Sequence, residues 1–158
     1  MKPNPLSRPQ RLAAGFTLIE LMIAMVLVAI LMSVAIPSYQ SYVRRGQLSE
    51  AFSTLADVRV KMEQYYQDNK FYGVNSGSTA CPTTLPTGAF PVAGKYFTIS
   101  CELGNAGQTY RLTATGTGGL TTGYAYTVNQ NGIKGTTSFA GASSSAACWL
   151  TKAGSCDN

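Results

Sequence analysis

The longest hydrophobic run of the chain extends from Phe16 to Ile36 and contains a single charged residue, Glu20. Its 21 residues include no glycine and no proline. As a helix they would rise roughly 31 Å, about the thickness of the hydrocarbon core of a bilayer, so the run predicts a membrane-spanning helix. A carboxylate inside such a helix costs about 2.5–3.5 kcal/mol on insertion scales, and Glu20 therefore predicts a partner or a function.

A second helical pattern follows over residues 37–70. Apolar side chains recur there every three or four residues, which predicts an amphipathic helix that packs against the rest of the domain. The apolar positions are Tyr39, Tyr42, Val43, Leu48, Ala51, Phe52, Leu55, Val58, Met62, Tyr65 and Tyr66. Pro37 should kink or locally break the helix, since it lacks an N–H donor and crowds the carbonyl four residues back.

Alternating β-branched and aromatic residues later in the chain predict short antiparallel strands over 96–101, 109–114 and 124–128. Asn131-Gly132 then supplies a hairpin turn. Three or four strands with one apolar face are not stable alone, so the sheet should cover the Phe52 to Tyr66 face of the helix. The predicted segments are a connecting loop at 71–94, a sheet at 95–138 and a carboxy-terminal region at 139–158.

The charge distribution indicates export of most of the chain. Only 12% of the residues are charged, and without Lys2, Arg8 and Arg11 the formal net charge falls from +5 to +2. Basic residues before an apolar span favour a cytoplasmic amino terminus. The remainder of the chain is then predicted to lie outside the cytoplasm, as one small domain.

All four cysteines lie in the predicted exported part, and an even number there predicts two disulfides. Proximity in the sequence favours Cys81–Cys101 and Cys148–Cys156, although four cysteines permit three pairings. The chain has no histidine and no Cys-x-x-Cys pair, which argues against zinc. No nucleophile motif or phosphate loop occurs in a suitable context, so we expect no enzyme activity, no metal and no cofactor.

The junction of Gly15 and Phe16 resembles the processing site of type IV pilins: a basic leader precedes it, and the carboxylate of Glu20 follows four residues after Phe16. The resemblance is close over the first third of the chain, through Ala-Ile-Pro-Ser-Tyr at 35–39 and Val-Arg-Arg at 43–45. Past residue 72 it rests on the order of the elements, the Asn-Gly turn and the Cys-Trp pair at 148–149.

This resemblance implies that residues 1–15 are a leader, which a prepilin peptidase removes by cutting between Gly15 and Phe16 before it N-methylates Phe16. It implies that residues 16–36 span the inner membrane, with the leader in the cytoplasm and the domain in the periplasm. The assembly machinery of the inner membrane would then move the subunit into an extracellular pilus. In that polymer Glu20 would meet the amino terminus of a neighbour, and Pro37 would belong to the assembling helix.

The implied fold is α+β. A long kinked helix comes first, its second half packs on three or four antiparallel strands, and a disulfide closes the carboxy-terminal region. Two other interpretations of the amino terminus stay open. A secretory signal peptide cut after Ala35 conflicts with Glu20 in its apolar region and with Pro37 just after the cut. An unprocessed membrane anchor differs from a pilin only at the Gly15-Phe16 junction.

The function implied by the resemblance is that of a structural pilus subunit, major or minor, which polymerises with other pilins for adhesion, motility or DNA uptake. One alternative is a DNA-binding minor pilin that acts as a receptor in natural transformation. Its candidate DNA contacts are the four cations of residues 71–158, which are Lys95, Arg111, Lys134 and Lys152. Two carboxylates offset these four cations, and the remaining net charge of +2 is small for phosphate binding. A second alternative is a pseudopilin of type II secretion.

Overall fold

The computed structural model describes residues 15–83, 85, 88 and 90–156. Apart from Gly15, the predicted leader lies outside these residues. A single long helix, α1, extends from Leu18 to Asn69 and includes Pro37, so the proline does not end the helix. The chain forms two compact units, of which the first ends at Ser38 and the second begins at Tyr39.

The first unit is an apolar stretch of α1 in which every described side chain is exposed. An 18-residue window of this helix has a mean hydropathy of 2.7, and no part of that window is buried. By length and composition α1 is therefore able to cross a membrane.

The core of the second unit forms between one face of α1 and the sheet. The buried residues of the helix are spaced by three and four positions, and they are Leu48, Ala51, Leu55, Val58 and Met62. From the sheet they meet Phe97, Ile99 and Tyr126, which are almost fully buried. The predicted packing of the helix on the sheet is therefore confirmed from Leu48 onwards.

Tyr39 and Tyr42, which the apolar pattern placed on the same buried stripe, are 70% and 72% exposed. That part of the prediction was wrong. Hydrophobic spacing identifies the face of a helix that prefers burial, but it does not reveal where along the helix the covering sheet begins.

Within the described residues, six antiparallel strands form the main sheet in chain order: β1 Val92–Ala93, β2 Phe97–Gly104, β3 Thr109–Gly116, β4 Ala125–Asn129, β5 Lys134–Phe139 and β6 Ala142–Ala146. A 3₁₀ turn at Asn105–Gly107 joins β2 to β3. Two short strands, β7 Leu150–Lys152 and β8 Ser155–Cys156, pair separately. The predicted α+β class is confirmed.

The prediction of three or four strands was too low. β1 has two residues, too few for a periodic signal. β6 reads Ala-Ser-Ser-Ser-Ala and lacks the β-branched and aromatic residues that mark strands. It forms because the edge of β5 offers backbone partners, with Phe139 opposite Ala142 across a tight turn. The predicted turn at Asn131-Gly132 is present, and Gly132 has the positive φ of 73° that favours glycine.

Two polar side chains of α1 fix the position of the helix against the loops of the sheet. The Oε1 atom of Glu50 accepts hydrogen bonds from the backbone N–H groups of Tyr96, at 2.8 Å, and Phe97, at 3.3 Å. The Oε1 atom of Gln47 accepts one from the N–H of Leu120, at 3.1 Å. These bonds satisfy loop donors that the sheet leaves unpaired.

Candidate functional site

The amino-terminal end of α1 has a local cap. The backbone N–H of Glu20 donates a hydrogen bond to Oγ1 of Thr17 over 3.3 Å. Thr-x-x-Glu is the spacing of a capping box, and a carboxylate in the first turn interacts favourably with the helix dipole. This local preference, which was not predicted from the sequence, favours Glu20 in the first turn of the helix but gives its carboxylate no partner among the described residues.

The carboxylate of Glu20 makes no hydrogen bond or ion pair with any residue that the structure describes. It lines an apolar groove of about 490 Å³ together with Phe16, Leu21, Ala24, Met25, Val28, Ala29 and Met32. Phe16 is 84% exposed at one end of this groove. An unpaired carboxylate beside apolar side chains favours a cationic partner, because burial without one is costly.

Two of the four predicted DNA contacts share a groove on the sheet. Arg111 of β3 is exposed, and Lys134 of β5 is half-buried. Both line a groove of about 240 Å³ that crosses β3, the end of β4 and the start of β5. The ammonium of Lys134 lies 4.4 Å from the ring centroid of Trp149, which stacks on Phe52 with centroids 5.0 Å apart. Lys134 is therefore held by a cation–π contact.

The other two predicted contacts lie elsewhere. Lys152 of β7 lines a second groove, of about 480 Å³, together with Arg44 and Arg45 of α1. Lys95 is exposed and lines neither groove. The two arginines were not among the predicted contacts. More than 100 residues separate them from Lys152, and only the fold brings the three together.

A half-buried carboxylate inside the second unit was also missed. Glu63 accepts one hydrogen bond from the hydroxyl of Tyr72, at 3.0 Å, and another from the hydroxyl of Tyr110, at 2.9 Å. The pKa of both tyrosines is raised above the ordinary value. Burial is the largest cause, and the hydrogen bond to Glu63 is the second. This cluster joins α1, the segment that follows it and β3. It holds these three segments together through the two hydrogen bonds to one carboxylate.

Both disulfides connect the pairs that are closest in sequence. Cys81–Cys101 links the connecting loop to β2 across 20 residues. Cys148–Cys156 closes a loop of 8 residues around β7 and β8. The hydroxyl of Thr136 on β5 donates to the carbonyl of Cys148 at 2.6 Å and accepts from the N–H of Leu150 at 3.0 Å, so the carboxy-terminal loop is bound to the sheet. No group of three or more His, Cys, Asp or Glu residues suited to a metal occurs among the residues described.

Two family models match the chain. The one described as "Type IV minor pilin ComP, DNA uptake sequence receptor" matches residues 37–131. The one described as "Prokaryotic N-terminal methylation motif" matches residues 10–36. The two matches meet at the boundary between the apolar run and Pro37. No solved structure matches the chain.

Several curated proteins are similar in sequence. The fimbrial protein EcpC of Eikenella corrodens is 37% identical over 101 residues, which are 64% of this chain and 61% of the relative. The type IV major pilin protein PilE1 of Neisseria gonorrhoeae is 38% identical over 54% of this chain and 37% of its own length. The fimbrial protein of Moraxella nonliquefaciens is 34% identical over 48% of this chain and 49% of its own. The chain thus spans between about a third and two thirds of the length of these relatives.

Proposed function

Because the chain belongs to the family of type IV pilins described as type IV minor pilin ComP, DNA uptake sequence receptor, we propose that it is a subunit of a type IV pilus. The exposed apolar stretch of α1 in the first unit is the assembling element. The observation that supports this most directly is the carboxylate of Glu20, which lies beside an apolar groove and has no partner among the described residues. Burying that groove between subunits requires a cation for Glu20, and the amino terminus of a neighbouring subunit supplies one.

Processing creates that amino terminus. A prepilin peptidase cuts between Gly15 and Phe16 and methylates the new amine of Phe16. The match of the methylation motif to residues 10–36 supports this step. Before assembly the subunit crosses the inner membrane once, with its leader in the cytoplasm and its folded domain in the periplasm. The assembly machinery of that membrane then adds the subunit to the extracellular fibre. Pro37 belongs to the helix that is packed during this step.

The test of assembly is Glu20→Gln, which removes the charge and keeps the size of the side chain. We expect the protein to be processed, inserted in the membrane and folded, while its recovery in sheared filaments falls sharply. Asp68→Asn is the matched control, since Asp68 is an exposed carboxylate on the same helix. Intact mass should show loss of residues 1–15 and one added methyl group. Normal recovery of the Glu20 variant in filaments would contradict the proposed role of the carboxylate.

A second function, DNA binding, is favoured by the groove that contains Arg111 and Lys134. Two cations in one groove provide contacts to phosphate that do not depend on base sequence. The description of the matching family as a DNA uptake sequence receptor supports the same function. The named relatives are pilus or fimbrial proteins, which favours a pilus subunit, with or without DNA binding, over an enzyme or a secretion pseudopilin.

The DNA function is tested by salt-dependent binding of duplex DNA to the full chain. Arg111→Gln and Lys134→Gln should each weaken binding to all sequences and make the slope of log K against log salt shallower by about 1. Lys70→Gln removes the same charge from an exposed site outside both grooves and is the control. If all three variants bind DNA as the parent does, the groove is not the DNA site.

A further inference from the structure

The second groove brings together three cations from distant parts of the chain. Arg44 and Arg45 come from α1 and Lys152 from β7, and together they line a volume of about 480 Å³. None of the three makes an ion pair or a side-chain hydrogen bond with the described residues. The one ion pair among those residues is Lys61–Asp57. Three cations in one groove that lack a counter-charge among the described residues indicate an anionic ligand.

The wall of this groove is fixed by local packing. Tyr124 is buried and packs edge to face against Phe139, with ring centroids 5.0 Å apart. The turn after Phe139 is tied to the preceding loop, since the N–H of Gly141 donates to the carbonyl of Gly123 over 2.9 Å. A side chain at Gly123 would approach the backbone nitrogen of Gly141 to 2.7 Å, so the two loops are in close contact. The wall is therefore set before any ligand binds.

Lys152 is also held in place by covalent structure. It lies on β7, inside the loop that Cys148–Cys156 closes, and its strand partner is Ser155. The hydroxyl of Tyr126 donates to the carbonyl of Leu150, two residues earlier, at 2.8 Å. The cation of β7 thus has an anchored backbone next to the two arginines, which lowers the entropy lost when an anion is bound between them.

The residues before the groove are typical of a membrane interface. Arg44 follows Ile36, the last residue of the apolar run, by eight positions in α1. Between them Tyr39 and Tyr42 are 70% and 72% exposed, although their neighbours further along the helix are covered by the sheet. Aromatic side chains at either end of an apolar span are enriched where lipid headgroups meet water. A groove lined by cations at that level attracts anionic headgroups electrostatically.

We infer that the groove of Arg44, Arg45 and Lys152 binds the phosphate headgroup of an anionic phospholipid while the subunit is still in the membrane. The inference rests on the proposed membrane-anchored stage and goes beyond assembly and DNA binding. The headgroup phosphate lies between the three cations, and its glycerol lies against the Tyr124 and Phe139 wall. Bound lipid would hold the domain at the membrane surface until the subunit enters the fibre.

The test uses the full chain in a non-ionic detergent with equal amounts of phosphatidylglycerol and phosphatidylcholine, and native mass spectrometry counts the lipids retained. We expect phosphatidylglycerol to be retained in preference. Arg44→Gln and Lys152→Gln should each reduce its retention about fivefold without changing that of phosphatidylcholine. Lys70→Gln is the control of equal charge. Arg44→Lys should keep more of the preference than Arg44→Gln, because lysine retains the positive charge that attracts the headgroup.

Competitors identify the source of the phosphate. Excess inorganic phosphate or a short DNA duplex should leave phosphatidylglycerol bound. Displacement by either at a matched concentration of phosphate would overturn the lipid assignment, as would equal retention of the two lipids by a chain that is inserted and folded. Failure of the chain to enter lipid bilayers at all would instead contradict the proposed membrane-anchored stage, and this insertion is measured separately by flotation with vesicles.

Discussion

Replacement of Glu63 by glutamine tests whether one side chain holds the helix to the sheet. Glu63 accepts a hydrogen bond from each of two buried tyrosines. A hydrogen bond to a charged group contributes about 1.5–3 kcal/mol, and charge roughly doubles its strength. Glutamine has one acceptor oxygen, so one tyrosine hydroxyl loses its acceptor and the other keeps a weaker bond. The expected loss is about 2–4 kcal/mol, and the melting temperature should fall on the order of 10 °C.

Urea unfolding of the full chain in a non-ionic detergent measures this loss. Trp149 is the only tryptophan of the chain, is 4% exposed and stacks on Phe52, so its fluorescence reports loss of the core. Asp68→Asn is the control and should stay within about 0.5 kcal/mol of the parent, as exposed sites usually do. A double-mutant cycle of Glu63→Gln with Tyr110→Phe should give a coupling energy of about 1–2 kcal/mol. Zero coupling, or a Glu63 variant as stable as the control, would refute the reasoning.

Two other predictions concern protons and glycines. Three of the nine tyrosines have a pKa that burial raises above 10.0, and these are Tyr72, Tyr110 and Tyr126. The folded chain therefore keeps protons on these tyrosines that the unfolded chain releases, so their contribution to stability is full below pH 10 and is lost as pH rises. An absorbance titration should show that these three tyrosines ionise at a higher pH in the folded chain than in the unfolded chain. Coincident titration curves of the folded and the unfolded chain would contradict this. Gly123→Ala should destabilise the chain, since the φ of Gly123 is +85° and a backbone nitrogen lies 2.7 Å from the position of the new Cβ. Gly46→Ala, on the open surface of the helix, should instead stabilise it by about 1 kcal/mol. Equal denaturant midpoints for the two variants would be evidence against the close contact at Gly123.

The parts of the fold that the sequence predicts are those with local signals. The apolar run of α1 depends on residues that are adjacent in the chain, and the Asn131-Gly132 turn depends on one dipeptide with a positive φ. The two disulfides join the cysteines that are nearest in sequence. The preference of the run and of the turn is carried by a few neighbouring residues, and the pairing of the cysteines follows their order in the chain, so these predictions needed no knowledge of the tertiary structure.

The candidate sites depend on residues that only the fold brings together. The groove of Arg44, Arg45 and Lys152 combines a helix with a strand more than 100 residues later, and nothing in the local pattern links them. Strand β6 has a composition without strand preference and forms through pairing with β5. The charge count of residues 71–158 could not separate cations that share a groove from those that do not, because it contains no information on strand register.

The two cross-links would have a mechanical consequence in the proposed pilus fibre. Pulled to full extension, the 20-residue separation between Cys81 and Cys101 would lengthen to about 70 Å, and the 8-residue separation between Cys148 and Cys156 to about 27 Å. When a disulfide is closed, the chain between its two cysteines cannot be extended by tension, even if the non-covalent contacts are broken. If a force separates the sheet from α1, the contour length that can be extended is therefore shorter in the oxidised chain than in the reduced one. Oxidised fibres should reach their inextensible limit at a smaller elongation per subunit.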